Sequence, residues 1–504
     1  MKKRLIVLLL VLAMSLSIVA CNKSNDSGGS GDKVEITAAY HLLPNGLEPL
    51  SEDSVQNYAI TYHIFDRLVT FDPVTNAWGP AVAKSWERID DVTWHFEINM
   101  DYKFSNGDAI TMDDIVYSLL RLRDIPKTAD SGNLIDSVTY EGNTLIFKTI
   151  DASNTIPSRV LSSSVIVNKK YLEETGDEGL YLKPIGTGPY AVTEFTPGAS
   201  ATIEVWDGYP FTKPQIDIIN FIAIEDTSAR YMALETGRAQ YAHQLSFLEI
   251  NNAEQNDSLS TVSTTSRRNH CFVFQCERPP FDNPNIRRAL TYALDRESYA
   301  QLNGGRTPIR SLLFMGYSDY YVESSNLPGY DLEIARQMLA DEGYDESNPL
   351  RVELVTYQGD PGLELYQSAL KSIGVDFVLN IVEFSVFLTH EGAGDFDMVA
   401  TVQINRGNHP MMDLDRFDYN MAGMRDISFY HDVRVQELVE LMRVENDQQR
   451  LKEMSVEIND LVGYDVPMVA ILLQPILAAT HNGLSGVVVD TGNTVSFRSA
   501  TFNP

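Results

Sequence analysis

Tyr102–Leu122 reads YKFSNGDAITMDDIVYSLLRL. Lys103 to Ser105 close an extended run, and Asn106-Gly107 is a turn dipeptide because both residues tolerate positive φ. Thr111, with Asp114 three residues later, forms a capping box that ties down free amides at a helix start. Ile115, Leu119 and Leu122 then recur at helical spacing, and Arg121 and Arg123 stand where the helix dipole favours cations. Local physics therefore gives a strand, a turn and a helix, a unit at home on the surface of any α/β domain. Asp113 and Asp114 read as helix-start residues rather than catalytic acids. The meaning of the stretch comes from what flanks it.

The chain has 504 residues and a formal net charge of −30. That length exceeds one ordinary core, so two or more lobes are expected. The acidity argues against nucleic acid and against binding anionic lipid through the protein surface. Residues 1–20 form a separate device, with Lys2, Lys3 and Arg4 ahead of apolar Leu5–Leu12 and a small-residue boundary. This is a secretory signal rather than a spanning helix. Ile18-Val19-Ala20-Cys21 resembles the lipobox of bacterial lipoproteins, which implies lipidation of Cys21 as the mature N-terminus. The alternative is a plainly cleaved signal with a chance cysteine. Residues 21–33 continue as a polar Gly/Ser-rich tether. Acyl chains hold such a protein at about 0.8 kcal/mol per buried CH₂ while the tether lets the body reach outward. The remaining cysteines, Cys271 and Cys276, flank the strand-like run FVFQ. Five residues of strand span roughly 16 Å, beyond the about 7 Å between Cα atoms that a disulfide allows. Two unpaired thiols are expected, and no zinc spacing accompanies them.

Val34–Ala39 alternates as a strand, a loop covers His41–Leu50, and residues 55–70 predict a helix with Tyr58, Tyr62, Phe65 and Leu68 on one face. Trp86–Ile98 predicts a hairpin turning at Asp90-Asp91, and Asn143–Ile150 another strand. Pro184–Tyr190 (PIGTGPY) is a rigid turn, followed by strands at Ala191–Phe195 and Ala201–Trp206 and a helix at Asp226–Thr236. From Asn269 the rhythm changes. Asn283 caps a helix with Pro284 at its first position, and Asp331 begins another that ends at Gly343. Arg351–Thr356, Leu363–Ile373, Val375–Ile381, Phe384–His390 and Asp397–Val402 then read as βαβαβ, which implies parallel pairing with helical crossovers. Helices capped by Asp432 and Asp447 precede a strand at Pro467–Leu473.

This order of motifs resembles extracellular solute-binding protein family 5, the oligopeptide/dipeptide/nickel-type substrate-binding lipoproteins of ABC importers. The resemblance rests on IFDRLVTFDP, PAVAKSWE, WHFEINMDYKFSNGDAITMDDIVYSLLRL, PIGTGPY, WDGYPFTKPQIDIINF, NPNIRRALTYALDRES and YDLEIARQMLADEGY, and it covers roughly residues 34–500. It implies an α/β fold of the periplasmic-binding-protein type: type II, two-lobed, in the large three-subdomain form, with a hinge and a central cleft. Lobe I would comprise 34–268, with an extra subdomain near 60–180, and would be completed by 476–504; lobe II would comprise 269–475. Crossing segments near 268–275 and 474–480 would form the hinge.

Rival motifs are weaker. Gly186-Thr187-Gly188-Pro189-Tyr190-Ala191 fits G-x-G-x-x-A in letters, but a dinucleotide site needs a helix to follow, and Pro189 with β-like Ala191-Val192-Thr193 follows instead. His390-Glu391 lacks a zincin's second histidine. Asp413, Asp415 and Asp418 lack the glycine and the final glutamate of an EF-hand loop. No catalytic arrangement, metal site or cofactor motif emerges.

In the family, solute contacts come from the loop after the first strand, the ends of lobe II strands and the loop after the last βαβαβ strand. The resemblance places them at His41, Leu42 and Leu43, at Tyr357 and Gln358, and at Asn405, Arg406, Gly407, Asn408 and His409. Strand ends at a crevice are also where α/β sheets generally bind ligands. Peptide-binding members carry an Asp in the last loop that pairs with the peptide ammonium. Here no acid precedes Asp413, and with Pro410 aligned to the family proline Arg406 takes that Asp position. Arginine is a bidentate partner for carboxylate or phosphate; in the alternative, Arg406 faces solvent and backbone groups do the binding. His409 is a solute contact, a chelate contact or a loop residue. Gly407 lets the main chain approach a ligand. The expected function is solute capture, with short peptides the first choice, and delivery to an ABC permease and ATPase complex. The expected protein is a monomer held outside the cytoplasm by its N-terminal lipid, on the cell membrane or facing a periplasm. The alternatives are an anionic or metal-chelate solute held by Arg406 and His409, a ligand-sensing receptor without transport, and a secreted hydrolase.

Overall fold

The structure, a computed structural model, describes residues 33–50, 55–72, 77–125, 128–152, 156, 164–311, 320–404, 409–423 and 426–503. Within the opening stretch, Asn106 and Gly107 turn the chain, Gly107 adopts φ 93° and Lys103 bridges to Ala109. The helix runs Met112–Leu120, and both halves of the Thr111/Asp114 capping box are present. Asp114 also accepts from Lys169 N at 2.8 Å, and Ser118 Oγ accepts from Val167 N at 3.0 Å. Ser105 N donates to Gly186 O at 2.9 Å. One short unit thereby fastens both Val167–Lys169 and the PIGTGPY turn. Asp113 accepts from Tyr140 OH at 3.1 Å, so both acids have structural partners. Arg121 departs from the simple dipole expectation. It is buried and donates to Glu48 at 2.6 Å and to Asp177 at 3.3 Å. The helix packs against a four-stranded antiparallel sheet ordered Ala83–Arg88, Thr93–Ile98, Thr144–Thr149, Ile135–Glu141, with Asp90 closing its first turn.

Eleven strands form the main sheet. In chain order they are β1 Glu35–Tyr40, β2 Tyr190–Thr196, β3 Ser200–Val205, β4 Ile218–Ala223, β5 Tyr241–His243, β6 Leu259–Phe274, β7 Thr307–Pro308, β8 Arg351–Thr356, β9 Asp376–Ile381, β10 Met398–Ile404 and β11 Met468–His481. Side by side they run β9-β8-β10-β6-β11-β5-β1-β4-β3-β2, with β7 added to β11. On one side β1 lies between its parallel partners β4 and β5. On the other, β8 lies between parallel β9 and β10, as the βαβαβ pattern predicts, with helices Pro361–Ser372 and Phe384–Ala393 as crossovers.

β6 and β11 join the two halves. Leu259–Thr265 pairs antiparallel with His481–Pro475, the register breaks, and Asn269–Val273 then pairs with Leu473–Met468. β5 attaches to one end of β11, and β10 to the other end of β6. At the break Ser266 Oγ donates to Gln474 O, and Arg268 N donates to Ser266 Oγ at 3.1 Å. Both strands are longer than their sequences suggest, since Leu259–Arg268 is too polar to read as strand and Pro475 falls inside β11. Beyond the break β6 is buried on both faces. Phe272 and Phe274 join Leu354 and Tyr366 in one core, while Cys271 and Val273 join Val355 and Phe387 in another. Such two-sided burial is typical of parallel sheets flanked by helices. Cys271 and Cys276 are both free.

The helix expected over 55–70 ends at Ile64, and Tyr58 and Tyr62 are half-exposed beneath the Arg67 guanidinium rather than in a buried face. The cause is the PIGTGPY turn. Gly188 N donates to Ile64 O at 2.7 Å. A Cβ on Gly186 would lie 2.1 Å from Ile64 O, so only glycine allows this approach. β2 follows the turn where a dinucleotide site would need a helix. The C-terminal tail completes the helix end. Arg498 donates to Tyr62 O and Phe65 O and pairs with Asp66 at 2.5 Å. His63 Nδ1 donates to Ala59 O at 3.1 Å, and its Nε2 accepts from Phe497 N at 3.0 Å. The ring can therefore carry one proton only.

Replacing Asp114 with Ala removes the side-chain half of the capping box and the clamp on Lys169, and should lower unfolding free energy by about 1–3 kcal/mol in urea titration. Burial, with Arg498 adding to it, pushes His63 down from the ordinary 6.5 to about 3. The unfolded chain takes up this proton below about 6.5 while the folded one resists. The stabilisation is therefore complete above that pH and is lost progressively as pH falls toward about 3. A His63→Gln variant should show a shallower decline of stability below pH 6.5, by up to about 1.4 kcal/mol per pH unit; an unchanged slope would remove His63 from the acid response.

Candidate functional site

A cavity of about 180 Å³ opens where the carboxyl end of β8, the strand β10 and the register break of β6 and β11 meet. Arg268 and His270 come from β6, Thr356-Tyr357-Gln358 from the end of β8, Thr401 from β10 and Gln474 from β11. Asp360 organises the side formed by helices. It caps Pro361–Ser372 by accepting from Gly362 N at 2.8 Å and Leu363 N at 3.0 Å. The same carboxylate accepts from Asn303 Nδ2 at 3.0 Å and Tyr299 OH at 2.9 Å. A Cβ on Gly362 would stand 2.5 Å from the Tyr299 ring, so the two helices meet this closely only at glycine. Three of these donors fall on Oδ1 and one on Oδ2, so Asp360 acts foremost as a structural acceptor.

The electrostatics of the remaining wall are positive. Arg306 Nη1 lies 3.2 Å from His270 Nε2. Guanidinium only donates, so Nε2 accepts and the ring proton sits on Nδ1. Burial, with Arg306 adding to it, holds His270 down at about 4, so the ring is neutral at neutral pH. Burial likewise lowers Arg306, against the pull of Asp360. The Nε atoms of Arg268 and Arg306 are buried without a hydrogen-bond partner, and among the described residues neither guanidinium has a carboxylate within salt-bridge distance. The other acid nearby is Glu391, beside Thr401 and Tyr357, whose carboxyl is pushed up by burial. Tyr357 is set edge-on against Phe384 and Phe387, at 5.0 and 5.1 Å between ring centres.

Of the residues singled out from sequence, Tyr357 and Gln358 line this cavity together. His41, after β1, donates through Nδ1 to Glu225 O at 2.9 Å; Leu42 is exposed and Leu43 buried. None of these three is in the cavity wall. His409 precedes a short helix, accepts from Met411 N at 3.2 Å through Nδ1 and is lowered by burial to about 4. Asn405, Arg406, Gly407 and Asn408 lie outside the described residues, as does Cys21. Sequence reasoning missed Arg268 and Arg306. Arg268 is the cross-strand partner of Ile404, the last described residue before that loop. It also missed Arg230, buried and donating to the carbonyls of Ile224, Glu225, His243 and Gln244, which fixes the carboxyl ends of β4 and β5. A larger surface hollow of about 730 Å³, lined by Tyr231, Glu235, Asn252 and Gln255–Ser258, shares no residue with these strand ends.

Comparison with known proteins decides what this arrangement belongs to. Residues 77–423 match the model for bacterial extracellular solute-binding proteins, family 5, middle region. The chain belongs to this family. It is an extracytoplasmic solute-binding protein rather than an enzyme. Among its relatives, the nickel-binding protein NikA of Staphylococcus aureus is 23% identical over 403 residues, covering 77% of this chain and 78% of NikA. The dipeptide-binding protein of Escherichia coli is 24% identical over 395 residues, covering 71% and 73% respectively. The fold is the two-lobed fold of HbpA2 from Haemophilus parasuis, with TM-score 0.82 at 18% identity and coverage of 93% of this chain and 100% of that one. It is shared with a dipeptide-binding protein from Pseudoalteromonas sp. SM9913 solved with Met-Leu, with TM-score 0.79 at 18% identity and the same coverages. Among the described residues no helix of this family member is long and apolar enough to cross a membrane.

Asp360→Ala should release Tyr299 and Asn303 together with the helix cap and cost about 1–3 kcal/mol of stability. Asp360→Asn, which keeps one acceptor oxygen, should cost less; equal stability of all three proteins would show that Asp360 does not organise the wall.

Proposed function

We propose that this protein is the solute receptor of an ABC importer, that it captures short peptides, and that it delivers them to a membrane permease and its ATPase. The observation that carries the reading is the position of the polar cavity. It sits at strand ends beside the register break that joins the two halves of the sheet, so a solute held there touches the part of the molecule best placed to bend. Peptide-binding proteins recur among the relatives, which supports peptides as the cargo. A cavity of about 180 Å³ is below the roughly 300–1,000 Å³ of a whole small-molecule site, as befits one wall of a cleft that a second lobe closes.

In this reading lobe I comprises 34–268 and 476–504, with an extra subdomain near 60–180, and lobe II comprises 269–475. The hinge, expected from sequence near 268–275 and 474–480, is proposed to centre on the register break at Thr265–Asn269 and the facing Leu473–Ile476. Tyr357 and Gln358 act from lobe II, His41, Leu42 and Leu43 from lobe I, and the loop of Asn405, Arg406, Gly407, Asn408 and His409 completes the site. Solute works by favouring the closed state, which it must bind more tightly than the open one. Residues 1–20 direct export, Cys21 carries the lipid anchor, and the tether that follows leaves a monomeric body free to meet the permease.

Native mass spectrometry of protein purified without unfolding tests the cargo. A short peptide should be found bound one to one and recovered intact after incubation. Deletion of the protein should abolish uptake of that solute. Uptake unchanged for every bound solute would overturn the transport role.

A further inference from the structure

We infer that Arg268 and Arg306 form a carboxylate-binding subsite that anchors one end of the solute. The inference rests on the receptor reading above and specifies the chemistry of the wall where the proposed hinge meets lobe II. Other arginines of this chain with buried atoms are answered by protein acceptors. Arg230, Arg287 and Arg296 direct donors to main-chain carbonyls. Arg121 and Arg498 meet carboxylates. Arg268 and Arg306 have neither arrangement. Each has a buried Nε without an acceptor, and both line the same cavity.

A guanidinium Nε buried without an acceptor is unfavourable, and a carboxylate of the solute supplies the missing acceptor in matching fork geometry. The neighbouring groups leave that role open. His270 accepts from Arg306 and so holds the side chain in place, but as a neutral ring it does not cancel the charge. Asp360 acts on both Arg306 and His270 through its field, yet its hydrogen bonds come from Gly362, Leu363, Asn303 and Tyr299 and none from either arginine. Glu391 does not bridge to either arginine, and burial raises its carboxyl. Size agrees. About 180 Å³ is room for roughly six waters at about 30 Å³ each, enough for a carboxylate and a short stem rather than a whole peptide.

The carboxylate can be a peptide's C-terminus or belong to a non-peptide acid, and the test separates these. A mixed dipeptide pool, the same pool amidated at the C-terminus, and succinate are each titrated into wild type, Arg268→Gln, Arg306→Gln and Arg268→Lys. Wild type should retain the free-acid pool and bind the amidated pool about tenfold to hundredfold more weakly. Both Gln variants should lose that difference, and Arg268→Lys, with charge but no fork, should keep part of it. Thermal unfolding of ligand-free Arg268→Gln should match or exceed wild type, because a guanidinium whose buried Nε has no protein acceptor has been removed; this separates a binding role from a structural one. Retention of succinate but neither pool would support the subsite and assign it to a non-peptide acid. Equal binding of free and amidated pools, or Gln variants that bind as wild type does, would overturn the subsite while leaving the receptor reading intact. Retention of none of the three probes by wild type would overturn the peptide reading and the subsite together.

Discussion

The ladder between β6 and β11 is the constraint on which the remaining structure depends. Two long antiparallel strands carry β5 and the sheet around β1 at one end, and β10 and the sheet around β8 at the other. Each half is regular and well buried, so each resists deformation. The ladder itself is interrupted between Thr265 and Asn269, where the Ser266 hydroxyl replaces strand hydrogen bonds by reaching Gln474 O. Stiff plates joined at a locally weakened seam bend at the seam. That is why the position of the cavity beside Arg268 and Gln474 has functional weight.

Much of this was legible in the sequence where local chemistry and tertiary structure agree. Asp331, Asp432 and Asp447 cap the helices that they announce, Asn283 with Pro284 starts another, and the βαβαβ order yields the expected parallel pairing. Illegible parts were those that depend on distant partners. Leu259–Arg268 is polar enough to read as coil and becomes strand because Pro475–His481 lies beside it. The helix after Val55 stops short because two glycines far along the chain press upon its last carbonyls. Of the candidate site, Tyr357 and Gln358 were readable as residues at a strand end. Arg268 and Arg306 were not, since an arginine in a polar run carries no mark of burial.

Charge placement separates the molecule's surface from its working wall. The chain carries −30 overall, while the cavity holds two guanidinium groups and one carboxylate, which is held by four structural donors. A globally acidic surface maintains solubility at long range. At contact distance the sign reverses, and desolvation makes that local reversal the stronger influence on what is held.

The register break also has a consequence for the order of events during capture. With the pivot proposed at Thr265–Asn269, Arg268 and Gln474 stand almost on the rotation axis, and atoms near an axis sweep only small arcs. His270, Thr356 and Asp360 belong to the same rigid plate, so their mutual geometry persists whatever the angle of the other plate. In the proposed receptor this wall of the site is therefore already assembled before closure. On that reading a solute docks on it first, and the second lobe then acts as a clasp that sets how long the solute stays.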